Sequence, residues 1–176
     1  ISYVKLFCMA KVLVVGGAGY IGSSVNAWLI DRGHETWVLD DLSTGHQELI
    51  LSDGFTLGRC GDKKVVGPLL EREKFDCVMH FSAFSLVGES VENPEKYFEN
   101  NVLQTKSLLE SMVEYGVKTV FLVPGNANVH LLDSIGRGEK LSFFCLQGES
   151  SSSMAAEAYS SISGELGVLV VSSGSS

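Results

Sequence analysis

Val12-Leu13-Val14-Val15-Gly16-Gly17-Ala18-Gly19-Tyr20-Ile21-Gly22 is an apolar, β-branched run that breaks into glycines and then takes up helical spacing through Ile21, Val25, Trp28 and Leu29. Glycine-rich loops are common, but one set between a buried strand and a helix is how a chain builds a dinucleotide-binding turn. The glycines are not interchangeable, because one allows the tight turn, one lets backbone approach the pyrophosphate, and one lets helix and strand pack closely. Free N–H groups and the positive end of the helix dipole then hold phosphate without a basic side chain, and the loop contains none.

The second half of such a signature is an acid at the end of the next strand, placed to accept hydrogen bonds from the adenosine ribose. Asp40 fits, ending Glu35-Thr36-Trp37-Val38-Leu39 after Gly33 has stopped the helix. A carboxylate there repels a ribose phosphate, and no arginine immediately follows Asp40, so NAD is favoured over NADP.

The bulk properties narrow the class. A chain of 176 residues, 45% hydrophobic, suffices for one ordinary domain and not for two. A net charge of -8 argues against a nucleic-acid partner and gives no attraction to anionic membrane surfaces. No apolar run approaches the ~20 residues that span a bilayer. Cys8, Cys60, Cys77 and Cys145 form no C-x-x-C pair, which points away from zinc and redox chemistry and toward cytoplasmic thiols. No metal site is expected. Ile1 to Cys8 precede Met9-Ala10-Lys11 and read as a leader or tag-like tail.

Strand and helix patterns alternate from residue 11 to residue 123. A polar turn follows Asp40, and Phe55-Thr56-Leu57 is a short strand. Val65, Val66, Leu69 and Leu70 predict a helix interrupted by Gly67-Pro68. Lys74 to Phe81 is a strand, Pro94 to Tyr115 a long helix ended by Gly116, and Val117 to Val123 a strand. Alternation of this kind predicts an α/β fold with a doubly wound parallel sheet, a NAD-binding Rossmann region over 9–123. Residues 124–176 form a divergent remainder, with a helix expected at 150–165 and a strand at 167–171.

Residues 9–118 resemble the UDP-glucose 4-epimerases, a branch of the extended short-chain dehydrogenase/reductases within the NAD-dependent epimerase/dehydratase family. The cofactor loop Val14 to Ser23 is similar, with Val15 where the family usually has threonine, as is the strand end Val38-Leu39-Asp40-Asp41-Leu42-Ser43. Most specific is His80-Phe81-Ser82-Ala83-Phe84-Ser85-Leu86-Val87-Gly88-Glu89-Ser90-Val91. The resemblance implies cofactor contacts from Gly16, Gly19, Tyr20, Ile21 and Gly22, and from Asp40, Asp41, Leu42 and Ser43. It further implies that Asp62 reads the adenine amino group, that Phe81, Ser82 and Ala83 line the cofactor, and that Asn100 stands near the nicotinamide. Ser85 stands where some members carry a cofactor-contacting lysine. His80 reads as a strand residue beneath the site rather than a base, and Glu89 and Glu92 as solvated or capping acids.

The family reaction, in galactose and nucleotide-sugar metabolism, interconverts UDP-glucose and UDP-galactose. Hydride passes from sugar C4 to NAD and returns to the other face of a 4-keto intermediate. It needs a Tyr-x-x-x-Lys pair on one helix face and a serine or threonine at the preceding strand end. Here the hydroxyl position falls at Val123-Pro124-Gly125, the best alignment of the helix puts Glu149 and Ser153 in place of tyrosine and lysine, and Tyr159 is followed four positions on by Ser163. No catalytic residue is therefore assigned. The expectation is a truncated epimerase-like protein that keeps NAD binding, lacks catalysis and the carboxy-terminal substrate domain that holds the UDP-sugar, and has the 94–115 helix as a possible homodimer surface. Two readings of the remainder stay open: a non-catalytic NAD-binding sensor, or a coding frame that departs near Thr119 to Leu122.

Overall fold

The structure, a computed structural model, describes residues 9–124, 129–137 and 141–170. The leader-like residues 1–8, Gly125 and the serine-rich tail 172–176 lie outside the described residues. Strand β1 (Lys11–Val15) leads into α1 (Tyr20–Asp31), β2 (Glu35–Asp40), β3 (Gly54–Leu57), α2 (Lys63–Glu73) and β4 (Cys77–His80). The four strands form one parallel sheet in the order β3-β2-β1-β4.

Strand β1 shows why this half folds. Its alternate residues serve two cores: Leu13 and Val15 join the cluster with Val66, Leu69 and Leu70 of α2, while Val12 and Val14 pack with Leu29 of α1 and Val38 of β2. A strand buried on both faces needs an unbroken apolar run, and each such side chain contributes roughly 1.5–3 kcal/mol of burial. Gly33 (φ +81°) and Gly116 (φ +112°) occupy the left-handed region and close their helices as expected. Pro68 lies inside α2, where it removes one helical N–H without ending the helix.

The long helix predicted from Pro94 is continuous but not uniform. It runs as α4 (Pro94–Phe98), a π-helical turn (Glu99–Gln104) and α5 (Thr105–Glu114), preceded by the short α3 (Val87–Glu92). Leu108, Leu109 and Met112 of α5 face the same core as α2.

Beyond α5 the chain departs from a simple continuation of the sheet. Strand β5 (Thr119–Leu122) does not pair with β4. It lies between β6 (Ser142–Cys145) and β7 (Val168–Val170), all parallel, in the order β6-β5-β7. The sheets meet where Cys77 of β4 bridges Gly167 beside β7. Helices α6 (Val129–Gly136) and α7 (Glu149–Ser163) make the crossovers. The helix expected at 150–165 and strand at 167–171 thus correspond to α7 and β7, whereas α6 and β6 were not expected from sequence. Val120, Leu122, Ile135 and Val168 belong to the same core cluster as Leu13 and Leu70, so the two sheets share one interior.

Candidate functional site

The carboxyl ends of β1 to β4 open onto a single cleft with about 520 Å³ of empty space, part of it open to solvent. This is the edge at which parallel α/β sheets bind ligands. Gly16 has φ +80°, and a Cβ on it would lie 2.6 Å from the Ser82 backbone nitrogen. A Cβ on Gly22 would come within 2.1 Å of the Gly16 carbonyl oxygen. Helix α1 therefore begins pressed against the turn, with Gly19 as its N-cap and no side chain capping it. Its first N–H groups are left for an anion.

Asp40 is nearly buried and fully engaged. One carboxylate oxygen accepts the Ala18 N–H at 2.9 Å, the other the Leu42 N–H at 2.8 Å. The carboxylate thus ties the glycine turn to the end of β2 while lining the cleft. Asp41 accepts from the Ser43 N–H at 2.9 Å, and the Arg59 guanidinium stands 4.0 Å from it on the next loop.

On the β4 side, the His80 ring is held between Thr105 and Ser82. Nε2 lies 2.9 Å from Thr105 Oγ1, and Nδ1 lies 3.1 Å from Ser82 Oγ. Burial pushes the imidazole pKa down to about 4, so the ring is neutral at physiological pH. With the Ser82 N–H directed at Nδ1, the proton belongs on Nε2 and is donated to Thr105. His80 supports the site from beneath. Burial also pushes the thiol of Cys60 up, and that of Cys77 up to about 11, with the Asp76 charge adding to it; neither is a ready nucleophile.

Among the residues singled out from sequence, Gly16, Gly19, Asp40, Asp41, Ser43, Phe81, Ser82, Ala83 and Asn100 come together in this cleft. The remainder are not among its lining residues. Tyr20 and Ile21 are exposed on the first turn of α1, Gly22 is packed beneath the loop, and Leu42 serves Asp40 through its N–H. Asp62 caps α2, accepting the Lys64 N–H at 2.9 Å, and is not among the cleft-lining residues. Glu89 is neither free nor a cap: Lys96 and Tyr97 both donate to it, and the Lys96 contact first holds its carboxyl below the usual range. The lining also includes Thr44, Gly58, Arg59, Cys60, Phe84 and Gln104, which sequence reasoning missed. The signal for Gly58 to Cys60 was position, since they follow β3 at the same sheet edge as Asp40.

Tyr159 lies outside the cleft. Its hydroxyl donates to Glu165, which also pairs with Lys118, and its ring meets Phe121 edge-on. Lys118 and Glu165 precede β5 and β7, so this tyrosine is anchored at the opposite, amino edge of the strands. The side chains of Glu149 and Ser153 lie outside the described residues. Among the described residues, no cluster of His, Cys, Asp and Glu is arranged to hold a metal, and no helix is long and apolar enough to cross a membrane.

Residues 12–129 match the NAD dependent epimerase/dehydratase family. The chain belongs to that family. The UDP-glucose 4-epimerase of Lactobacillus helveticus is 48% identical over 109 residues, covering 61% of this chain and 33% of that protein; the Halalkalibacterium halodurans enzyme is 42% identical over 109 residues, covering 62% and 33%. The chain thus spans about a third of the length of the curated relatives it matches. Among solved structures, UDP-glucose 4-epimerase from Brucella ovis in complex with NAD superposes with a TM-score of 0.64 at 31% identity, covering 92% of this chain and 50% of that one. The Thermus thermophilus enzyme, also complexed with NAD, gives 0.64 at 31%, covering 77% and 53%. Residues 104–176 separately match the N-terminal TPP binding domain of thiamine pyrophosphate enzymes, overlapping the first match across α5 and β5.

Proposed function

We propose that residues 9–124 bind NAD in the manner of a UDP-glucose 4-epimerase and that this chain does not itself epimerise a nucleotide sugar. The convergence of the Gly16 to Gly22 turn, Asp40 and the Phe81 to Ala83 segment on one cleft carries the reading. Gly16 and Gly22 fit the cofactor because a Cβ on either would meet backbone, and the uncapped start of α1 offers N–H groups to pyrophosphate. Bound NAD supplies a hydride acceptor. Against turnover stand the hydroxyl-free Val123-Pro124 after β5 and the placement of Tyr159 at the far edge. The exposed Phe98 and Leu103 favour the 94–115 helix as a homodimer surface, and the thiols of Cys60, Cys77 and Cys145, unpaired with one another, suit a cytoplasmic protein.

Gly19→Val is the sharpest test, because a Cβ at Gly19 has only the Gly16 oxygen near it, at 3.4 Å, and the side chain would fill phosphate space without breaking the loop. NADH titrated into the protein should give a saturable fluorescence enhancement that Gly19→Val abolishes. A flat wild-type titration removes the cofactor reading. Conversion of UDP-galactose to UDP-glucose above background removes the claim of lost catalysis.

A second reading concerns residues 104–176. Their match to the thiamine pyrophosphate enzymes, together with the order β6-β5-β7, favours a segment of separate origin, joined somewhere in the overlap 104–129, over an out-of-frame tail. Calorimetric titration with thiamine pyrophosphate and magnesium should then show binding that survives Gly19→Val; no heat of binding argues against a working site there.

A further inference from the structure

The π-helical turn Glu99–Gln104 directs three carboxamides at loop backbone. Asn100 Nδ2 donates to the Ser82 carbonyl at 2.8 Å, and Gln104 Oε1 accepts the Gly61 N–H at 2.9 Å. Asn101 goes further. Its Oδ1 accepts the Phe84 N–H at 2.8 Å, and its Nδ2 donates to the Phe84 carbonyl at 2.9 Å. One side chain thereby pairs with both main-chain groups of one residue, as a neighbouring strand would. A widened turn of this kind is a recurrent feature of functional sites, and here it offsets the carboxamides so that they reach two different loops.

Asn100 and Gln104 line the cleft, as does Phe84, whereas Asn101 does not. Asn101 therefore acts on the cleft through Phe84 and through Asn100, whose Nδ2 also donates to Asn101 Oδ1 at 3.0 Å. The Phe84 ring is held in addition by Tyr97, with centroids 5.6 Å apart, and by the Lys96 ammonium at 4.9 Å. Where the cofactor halves fall follows from the sheet. Pyrophosphate belongs at the start of α1 and the adenosine ribose at Asp40 on β2, so the nicotinamide half must cross the switch point toward the loop after β4.

Resting on the NAD reading, we infer that Asn101 is a positioning residue: by clamping Phe84 it fixes the Phe81 to Phe84 wall against which the nicotinamide half lies. The adenosine half rests on the glycine turn and Asp40, which Asn101 does not contact. Preorganisation of this wall should matter for NADH and not for ADP.

Two variants and two ligands test it. Asn101→Ala removes both hydrogen bonds to Phe84 and the one accepted from Asn100. Asn101→Asp keeps the acceptor for the Phe84 N–H but turns an oxygen toward the Phe84 carbonyl. Both should weaken NADH binding, read by fluorescence, by about tenfold or more, the scale of losing a preorganising hydrogen-bonded pair. ADP affinity, measured by calorimetry, should stay within about twofold. Unchanged NADH affinity in Asn101→Ala overturns the inference. Equal weakening of NADH and ADP, or loss of ADP binding in both variants, assigns Asn101 to fold stability and overturns it too. A wild-type chain that binds ADP but not NADH removes the cofactor reading itself, and the inference with it.

Discussion

Thr36→Val should stabilise this protein, while the same change at Thr56 should destabilise it. Thr36 sits in β2 opposite Val12 of β1, on the face that carries Val38 and is covered by α1. It is 6% exposed, and its hydroxyl has no hydrogen-bond partner among the described residues. An unpaired buried hydroxyl costs ~1–3 kcal/mol, and valine fills the same volume with a methyl group where the oxygen was. Allowing for imperfect repacking, we expect a gain of about 1–2 kcal/mol, which in a domain of this size raises Tm by roughly 2–8 °C. Thr56, one strand away, accepts the Trp37 Nε1–H at 2.9 Å. Valine there strands a half-buried indole N–H and should cost about 1 kcal/mol. Urea unfolding followed by far-UV circular dichroism gives both values, with m unchanged if the denatured state is unaffected. Two shifts of the same sign, or a loss of stability in Thr36→Val, would refute the hydrogen-bond accounting of this layer.

Two further outcomes follow from the geometry. Gly22→Ala should lose about 3 kcal/mol or more, because its Cβ would lie 2.1 Å from a main-chain oxygen, whereas Gly33→Ala, with open space around it and only its φ of +81° to strain, should lose about 1–2 kcal/mol; thermal melts separate the two. His80 is neutral in the fold with its pKa lowered from 6.5 to about 4, so the unfolded chain binds the extra proton as pH falls. Its contribution is fully present above pH 6.5 and lost from there down to about 4, amounting to about 2 kcal/mol between pH 7 and pH 5. Unfolding free energies from urea melts at the two pH values should differ by that much more in wild type than in His80→Gln; equal differences would mean that the ring is not held neutral.

The cofactor half was legible because its signals are local. A β-branched run buried on both faces, a glycine turn and an acid at the next strand end lie within thirty or so residues, and each has one physical explanation. What escaped was non-local or ambiguous. Asp62 resembles an adenine-reading position, and an aspartate before the lysines that open a helix is also a standard N-cap; in the structure one of its oxygens caps α2 and it is not among the cleft-lining residues. Strand β6 is exposed along its whole length, so Ser142-Phe143-Phe144-Cys145 shows no burial alternation to read. Asn26 gave no signal either. It occupies the buried stripe of α1 with Gly22 and Leu29, and both polar atoms of its amide lack partners among the described residues.

Strand order was the least legible property, and it carries the strongest constraint on chemistry. An alternating pattern of strands and helices does not say where the fifth strand lies. Here β5 sits between β6 and β7, and β4 receives only the Cys77 to Gly167 bridge on its outer side. Among the described residues, every side chain and backbone segment lining the cleft comes from residues 15 to 104, upstream of β5. A proton-transfer pair would have to come from downstream, yet the described tyrosine there is anchored by Glu165 at the opposite edge. Val120, Leu122, Ile135 and Val168 nonetheless bury themselves against the core that holds α2 and α5 in place. The second unit thus supports the cofactor cleft from the interior, while none of its described side chains lines it.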